Sequence, residues 1–177
     1  MSLLIQYTIL YASVLILVAL GGCFSEHSGV INLGLEGIMV MGALGGALTM
    51  KYMIGYPPAV IVILTILAAA VTGLVFSALL AVACINFKAD QTIVGTALNM
   101  LGLAAATVIV KAINIAENPD NVSATVQYIA QKKSFLVNIG GFEFNWMMLV
   151  ALVILIAAYI VPVSYTHLRA HETDQYL

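Results

Sequence analysis

Three carboxylates lie beside apolar stretches of this sequence and are its first candidates for chemistry: Glu26, Glu36 and Asp90. A carboxylate can move protons or bind a metal, but catalysis also needs a nucleophile, a base or further ligands nearby. None of the three has such a partner at a suitable spacing, and the sequence contains no phosphate-binding P-loop motif. We therefore predict that the chain is not an enzyme, has no catalytic residues and carries no cofactor.

A metal site near the C-terminus is the next candidate. His167 and His171 have the i, i+4 spacing of helical metal ligands, and Glu172 is adjacent. Hydropathy collapses abruptly over residues 163–177, however, and most of this stretch resembles the translation of a transposase adapter used in sequencing libraries. Such segments are excluded from the reasoning about a fold. We predict no metal site, and we interpret residues 163–177 as a non-native, disordered tail after a truncated reading frame.

The composition indicates whether the protein is surrounded by water or by lipid. Of the 177 residues, 63% are hydrophobic and only 8% are charged, whereas soluble domains carry about 25% charged residues. So few charges cannot cover a surface that faces water, and the lipid bilayer is the predicted surrounding. The formal net charge of -2 argues against a nucleic-acid partner, because such partners select basic surfaces.

Five apolar stretches are candidates for membrane spans: residues 3–22, 35–53, 59–87, 92–113 and 147–162. A helix needs about 20 residues to cross the hydrocarbon core, and the fifth stretch is barely long enough. The substantial polar segment between the spans is residues 114–145, where the alternation of Phe142, Glu143 and Phe144 is typical of a small hairpin. The predicted fold is an all-α polytopic membrane helix bundle of about five spans over residues 1–162.

The stretch FSEHSGVINLGLEGIMVMGALGG, residues 24–46, interrupts this pattern after the first span. Irregular backbone at membrane depth is tolerated only where protein or a water-filled cavity covers it. We interpret the stretch as a broken or re-entrant helix, in which Glu36 can brace the backbone by accepting N–H bonds. The alternative is that its glycines only permit close helix packing and its serines belong to an ordinary polar connection.

A polar stripe marks the fourth span. Gln91, Gly95 and Asn99 recur at four-residue spacing and therefore lie along one face of a helix. Polar side chains on such a stripe either bond a neighbouring helix or line a cavity, and the residues alone leave both possibilities open.

Two runs resemble a known family: FSEHSGVINLGLEG, residues 24–37, and ADQTIVGTALNMLGL, residues 89–103. They are similar to motifs in the permease subunits of bacterial ABC importers, in the nucleoside and simple-sugar branch related to the ribose and branched-chain amino-acid permeases. His27 departs from the arginine usual in that family. The resemblance implies a multi-pass subunit of the bacterial plasma membrane that forms part of a substrate translocation path. It implies three protein partners: an ABC ATPase subunit that hydrolyses ATP, a second permease subunit and an extracytoplasmic substrate-binding lipoprotein.

The resemblance favours the cavity interpretation of the polar stripe. The residues predicted to face the substrate path are Asn32, Gln91, Thr96 and Asn99, because uncharged donors and acceptors suit a neutral, polyhydroxylated substrate. The residues predicted to shape the re-entrant segment are Ser25, Glu26, Gly34, Glu36, Gly37 and Asp90. The alternative functions are a secondary transporter with a broken helix at its site and a structural membrane subunit.

The orientation in the membrane is left open by the sequence. The resemblance implies that the N-terminus and the polar loop after the fourth span are outside. The lysines favour the opposite orientation by the positive-inside rule, since most of them would then lie outside.

Overall fold

The computed structural model describes residues 2–27, 29, 31–126, 134–139 and 142–164. Its elements are the helices α1 (Ser2–His27), α2 (Leu35–Tyr52), α3 (Pro58–Ile85) and α4 (Gln91–Glu117), the strands β1 (Leu136–Ile139) and β2 (Phe142–Asn145), and the helix α5 (Met147–Ser164). The chain divides into two compact units, one of Phe24–Phe135 and one of Met1–Cys23 with Leu136–Leu177. Of the predicted disordered tail, residues 163 and 164 are instead the last of α5. Residues 165–177 lie outside the described part, so their disorder stays a prediction.

The helical prediction is confirmed, since the five helices among the described residues overlap the five apolar stretches. Among the described residues, three helices are long and apolar enough to cross a membrane: Leu4–His27, Pro58–Ile85 and Gln91–Glu117. The helix α2 has 18 residues and is therefore about 27 Å long. It carries Glu36 in its first turn and Lys51 in its last.

The first helix is longer than expected. It ends at His27 rather than at residue 22, so Ser25 and Glu26 lie in its last turns and not in the connection. The helix stops where Gly29 adopts a φ of 81°, a left-handed conformation that glycine reaches without the steric cost of a Cβ. The Gly29 N–H donates to the carbonyl oxygen of Glu26 at 2.9 Å, which closes the helix end.

Small residues let α2 pack closely and antiparallel against α3. A Cβ placed on Gly42 would lie 3.1 Å from the carbonyl oxygen of Ala69. One placed on Gly46 would lie 3.4 Å from the side chain of Thr65, one turn earlier on α3. Helices in membranes gain stability from such close backbone approach, because lipid provides no hydrophobic force between them.

The helices α2 and α4 run in the same direction. At one end, Gly37 of α2 packs against Leu98 of α4. At the other end, Lys51 Nζ lies 2.7 Å from the Glu117 carboxylate. Two buried clusters also join these helices: Leu44, Ala106 and Val110 join α2 to α4, and Phe76, Leu80 and Leu98 join α3 to α4.

The second unit contains the predicted hairpin. The strands β1 and β2 pair antiparallel, with Val137 opposite Phe144. In the same unit, most described side chains of α1 are exposed, including Leu4, Tyr11 and Leu15. Apolar side chains on the outside of a spanning helix are suited to contact with lipid.

Candidate functional site

The break between α1 and α2 lies against the polar stripe of α4. We call residues 31–34 the break segment; it is non-helical. The N–H of Ile31 donates to Gln91 Oε1 at 3.1 Å. A Cβ added to Gly95 would lie 2.9 Å from the backbone nitrogen of Gly34. The break segment therefore runs along α4 from its first residue toward its second turn.

Asn99 bonds both sides of the point where α2 begins. Its Oδ1 accepts from the Gly37 N–H at 2.7 Å, and its Nδ2 donates to the carbonyl oxygen of Leu33, also at 2.7 Å. One neighbour can only donate and the other can only accept, so the network itself fixes which way the amide points. A single side chain of α4 thus holds the last residues of the break segment and the first turn of α2 together.

The bond to Gly37 replaces a missing cap. The residue at the N-cap of α2 is Gly34, which makes no side-chain cap bond. Gly37 is the third residue of the helix, and its N–H is one of the four that an α-helix leaves without an internal partner. A capping serine, threonine or aspartate would normally accept this bond from its place in the same chain segment. Here Asn99 supplies the acceptor from another helix.

Glycines bring the two backbones close enough for these bonds. A Cβ added to Gly102 would lie 2.8 Å from the Cα of Gly37, and one added to Gly37 would lie 2.5 Å from the carbonyl oxygen of Leu98. Real Cβ atoms are essentially never found that close to another heavy atom. Any side chain at either position would push α2 away from α4 and lengthen the bonds of Asn99.

Asp90 fixes where α4 starts. It is the N-cap of that helix, and its Oδ1 accepts from the N–H groups of Thr92 at 2.9 Å and Ile93 at 3.1 Å. A carboxylate at this position also interacts favourably with the positive end of the helix dipole. Gln91, the first residue of α4, follows this cap directly.

The break lies beside the first part of α4. Asn99 is eight residues beyond Gln91, which corresponds to about 12 Å along the helix axis. Where lipid surrounds such non-helical backbone, unsatisfied N–H and C=O groups are costly. The amides of Gln91 and Asn99 provide bonds for three of those groups.

Comparison with known proteins gives the family. A model of the permease component of branched-chain amino-acid transport systems matches residues 4–167. The chain belongs to this permease family. It is accordingly a multi-pass membrane protein, and the resemblance of its two motifs to ABC importer permeases is confirmed.

Three relatives of the permease are bacterial or archaeal proteins. The guanosine ABC transporter permease protein NupQ of Bacillus subtilis is 47% identical over 113 residues, covering 64% of this chain and 35% of the relative. The nucleoside ABC transporter permease protein NupC of Lactococcus lactis is 36% identical, covering 59% and 33%. The putative glucose ABC transporter permease protein TsgC13 of Haloferax volcanii is 37% identical, covering 59% and 30%. The permease thus spans about a third of the length of these relatives. No solved structure matches it.

The residues predicted for the substrate path are brought together only in part. Asn32 accepts from the N–H of Gly34, two residues on, at 3.0 Å. Gln91 and Asn99 bond the backbone as described. Thr96 is exposed, and its hydroxyl donates to the Thr92 carbonyl of its own helix at 2.8 Å. The three amides hold the break segment of the permease, and their role toward a substrate stays a prediction.

The residues predicted to shape the segment have different positions. Gly34 and Gly37 are buried against α4, and Asp90 caps α4. Ser25 and Glu26 belong to α1. Glu36 is exposed, and no hydrogen bond of its carboxylate occurs among the residues that the permease structure describes. Within that part, the brace is made by Asn99 and not by Glu36.

Three features that hold α4 to its neighbours were not predicted from the sequence of the permease. Gly102 continues the stripe three residues after Asn99, a spacing that a longer count along the helix face could have found. Asn114, at 1% exposure, and the pair of Lys51 with Glu117 stabilise the opposite end of α4. Nothing in the spacing indicates these pairings: Lys51 and Glu117 lie 66 residues apart, and Asn114 bonds residues 9 and 11 positions later, in a segment without helix or strand.

The side chains around the break segment bind its backbone and are neutral hydrogen-bonding groups. Among the described residues there is no group of three or more histidine, cysteine, aspartate or glutamate side chains that could hold a metal ion. His167 and His171 lie outside the described part of the permease. The absence of a metal and of a cofactor stays a prediction.

Proposed function

We propose that this chain is part of the membrane permease subunit of an ATP-driven importer and that it forms one wall of the substrate path. The observation that carries the proposal is the braced break, in which non-helical backbone lies beside a helix long enough to span a membrane. Membranes tolerate such backbone where protein or a water-filled cavity covers it. Broken helices of this kind form the binding sites of many transporters.

The proposed substrates are nucleosides or simple sugars. Two relatives carry guanosine and nucleoside in their names, and a third carries glucose. The side chains around the break suit these compounds, because amides and the exposed hydroxyl of Thr96 can bond neutral polyhydroxylated molecules. Each such bond contributes a net of about 0.5–1.5 kcal/mol, which is weak enough for release after transport.

The proposed partners follow from the ATP-driven mechanism. The sequence has no P-loop, so an ATPase subunit must supply the hydrolysis. A second permease subunit would complete the path, and an extracytoplasmic substrate-binding lipoprotein would deliver the substrate. The proposed location of this assembly is the bacterial plasma membrane.

Uptake measurements test this function. Cells that express the chain from its native locus are supplied with radiolabelled guanosine, uridine or ribose. We expect uptake of at least one of them to stop when the P-loop lysine of the ATPase is replaced by alanine. The same uptake should continue when a protonophore collapses the proton gradient while ATP is maintained.

Two results would contradict the proposal. Uptake that is unchanged by the ATPase substitution but stops when the protonophore is added would indicate a secondary transporter. Uptake that is unchanged after deletion of this chain would indicate a structural membrane subunit.

A further inference from the structure

The chain that follows α4 folds back along it. The helix ends at Glu117, and nine residues later Val126 packs against the buried cluster of Leu44, Ala106 and Val110. Val110 is seven residues before the end of α4, about 10 Å back along the helix axis. Residues 118–126, which we call the strap, therefore return from the end of α4 and cover the adjoining part of the α2–α4 contact.

One side chain of α4 fastens the strap. Asn114 Nδ2 donates to the carbonyl oxygens of Ser123 and Thr125, both at 2.9 Å. The Asn114 side chain is only 1% exposed, and a buried amide is costly unless it is bonded. These two bonds therefore favour the position of the strap over α4.

The strap has its own local order. The Ser123 and Thr125 hydroxyl oxygens lie 2.7 Å apart, and the Ser123 N–H donates to Asn121 Oδ1 at 3.2 Å. It contains no helix or strand. Such a segment can keep its internal bonds while its attachment to the helices opens, because the bonds of Asn114 and the packing of Val126 are separate from them.

The same helix fastens non-helical backbone at two places. Asn99 holds the break segment and Asn114 holds the strap. The two asparagines are 15 residues apart, which corresponds to about 22 Å along α4. The strap thus covers the α2–α4 pair at the end opposite to the break.

We propose that the strap is a gate over this end of the α2–α4 pair and that Asn114 is the pin that keeps it closed. Opening breaks the two bonds of Asn114 and withdraws Val126 from the cluster of Leu44, Ala106 and Val110. The gating role rests on the proposed transport function, whereas the pinning of the strap does not.

Cysteine labelling tests the pin. Val126→Cys is introduced with Cys23→Ser, and the membranes are treated with a water-soluble maleimide. We expect slow labelling at position 126, and at least tenfold faster labelling when Asn114→Ala is added. The matched control is Asn118→Ala, the same substitution at an exposed asparagine that accepts from the Asp120 N–H within the strap. It should change the rate less than twofold.

Native Cys84 reports on the rest of the fold, because it packs half-buried against the cluster of Phe76, Leu80 and Leu98. Its labelling should stay constant in every variant, so that faster labelling at position 126 reflects the strap alone. Equal rates with and without Asn114→Ala would overturn the pin. So would a tenfold rise at both cysteines, because the substitution would then loosen the whole bundle.

Labelling during transport tests the gate. In the assembled importer with Asn114 intact, substrate and ATP together should raise the labelling rate at position 126 at least threefold over ATP alone. Uptake that proceeds with no change in this rate would make the strap a fixed cover and overturn the gate. A pin that passes its test in a chain that supports no uptake would instead refute the proposed transport function.

Discussion

Oδ1 of Asn99 lies 2.7 Å from the backbone nitrogen of Gly37, although the two residues are 62 positions apart in sequence. The start of α2 is therefore held by α4 and not by a cap in its own segment. Because the same amide bonds the Leu33 carbonyl, the break has one fixed geometry rather than a range of them. A defined backbone is what a transport site built on a broken helix requires.

Substitutions of Asn99 should distinguish the contributions of its two hydrogen bonds to stability. Asn99→Leu removes both and leaves the Gly37 N–H and the Leu33 C=O without partners, at about 1–3 kcal/mol each. Asn99→Asp keeps an acceptor for the Gly37 N–H and places an oxygen where the donor to Leu33 was, so it should lose the second bond alone. The measurement is the free energy of unfolding of the purified chain by SDS titration in mixed micelles.

The control for Asn99 is Thr96→Val, one turn earlier on α4. Its hydroxyl bonds only its own helix, and its loss should cost no more than about 0.5 kcal/mol, as at other exposed sites. Equal losses for Asn99→Leu and Thr96→Val would show that Asn99 does not brace the break.

Close contact of the backbones makes Gly102 sensitive to a single methyl group. Gly102→Ala would place a Cβ 2.8 Å from the Gly37 Cα, and the resulting displacement should destabilise the chain by about 1–3 kcal/mol, as for other overpacked sites. Gly21→Ala is the matched control, since a Cβ there would have no atom within 4 Å. It should be neutral or stabilise by up to about 1 kcal/mol because alanine favours the helix. Thermal unfolding of both variants distinguishes these outcomes, and a Gly102→Ala protein as stable as Gly21→Ala would disprove the close contact.

Thr65 should tolerate loss of its hydroxyl. Its Oγ1 is buried without a hydrogen-bond partner among the described residues, whereas Thr72 on the same helix donates to the Ala68 carbonyl at 2.8 Å. Thr65→Val keeps the shape and removes an unsatisfied group, so it should leave stability unchanged or raise it by about 1 kcal/mol. Thr72→Val, which removes a bonded hydroxyl, should not be stabilising. A clear loss of stability in Thr65→Val would mean that its hydroxyl has a partner.

Removing Glu117 from its ion pair with Lys51 should cost more stability than removing Lys51. The Lys51 side chain is 11% exposed and that of Glu117 is 48% exposed. Glu117→Ala leaves a largely buried ammonium group without its carboxylate, at about 1.5–3 kcal/mol. Lys51→Met removes the buried charge itself and should cost less than about 1 kcal/mol, as for exposed pairs. Chemical denaturation of the two variants measures the difference, and equal losses would contradict the asymmetry.

Local patterns in the sequence predicted the helices and part of the site. Hydropathy located the five helices of the described residues, and the four-residue spacing of Gln91, Gly95 and Asn99 placed these three residues on one face. The partner of that face was not predictable, because no periodicity relates Asn99 to Gly37. The end of α1 was missed since polar residues such as Ser25 and Glu26 are compatible with a helix, and the positive φ of Gly29 decides where it stops.

Hydrogen exchange at the Gly37 amide tests the braced break most directly. The first turn of a helix normally exchanges freely, because its N–H groups have no internal partner. We expect the Gly37 N–H to exchange at least tenfold more slowly than those of Leu35 and Glu36, which lie in the same turn. Nuclear magnetic resonance of the labelled chain in micelles should show this protection retained in Asn99→Asp and lost in Asn99→Leu. Equal exchange at Leu35, Glu36 and Gly37 in the unmodified chain would contradict the brace.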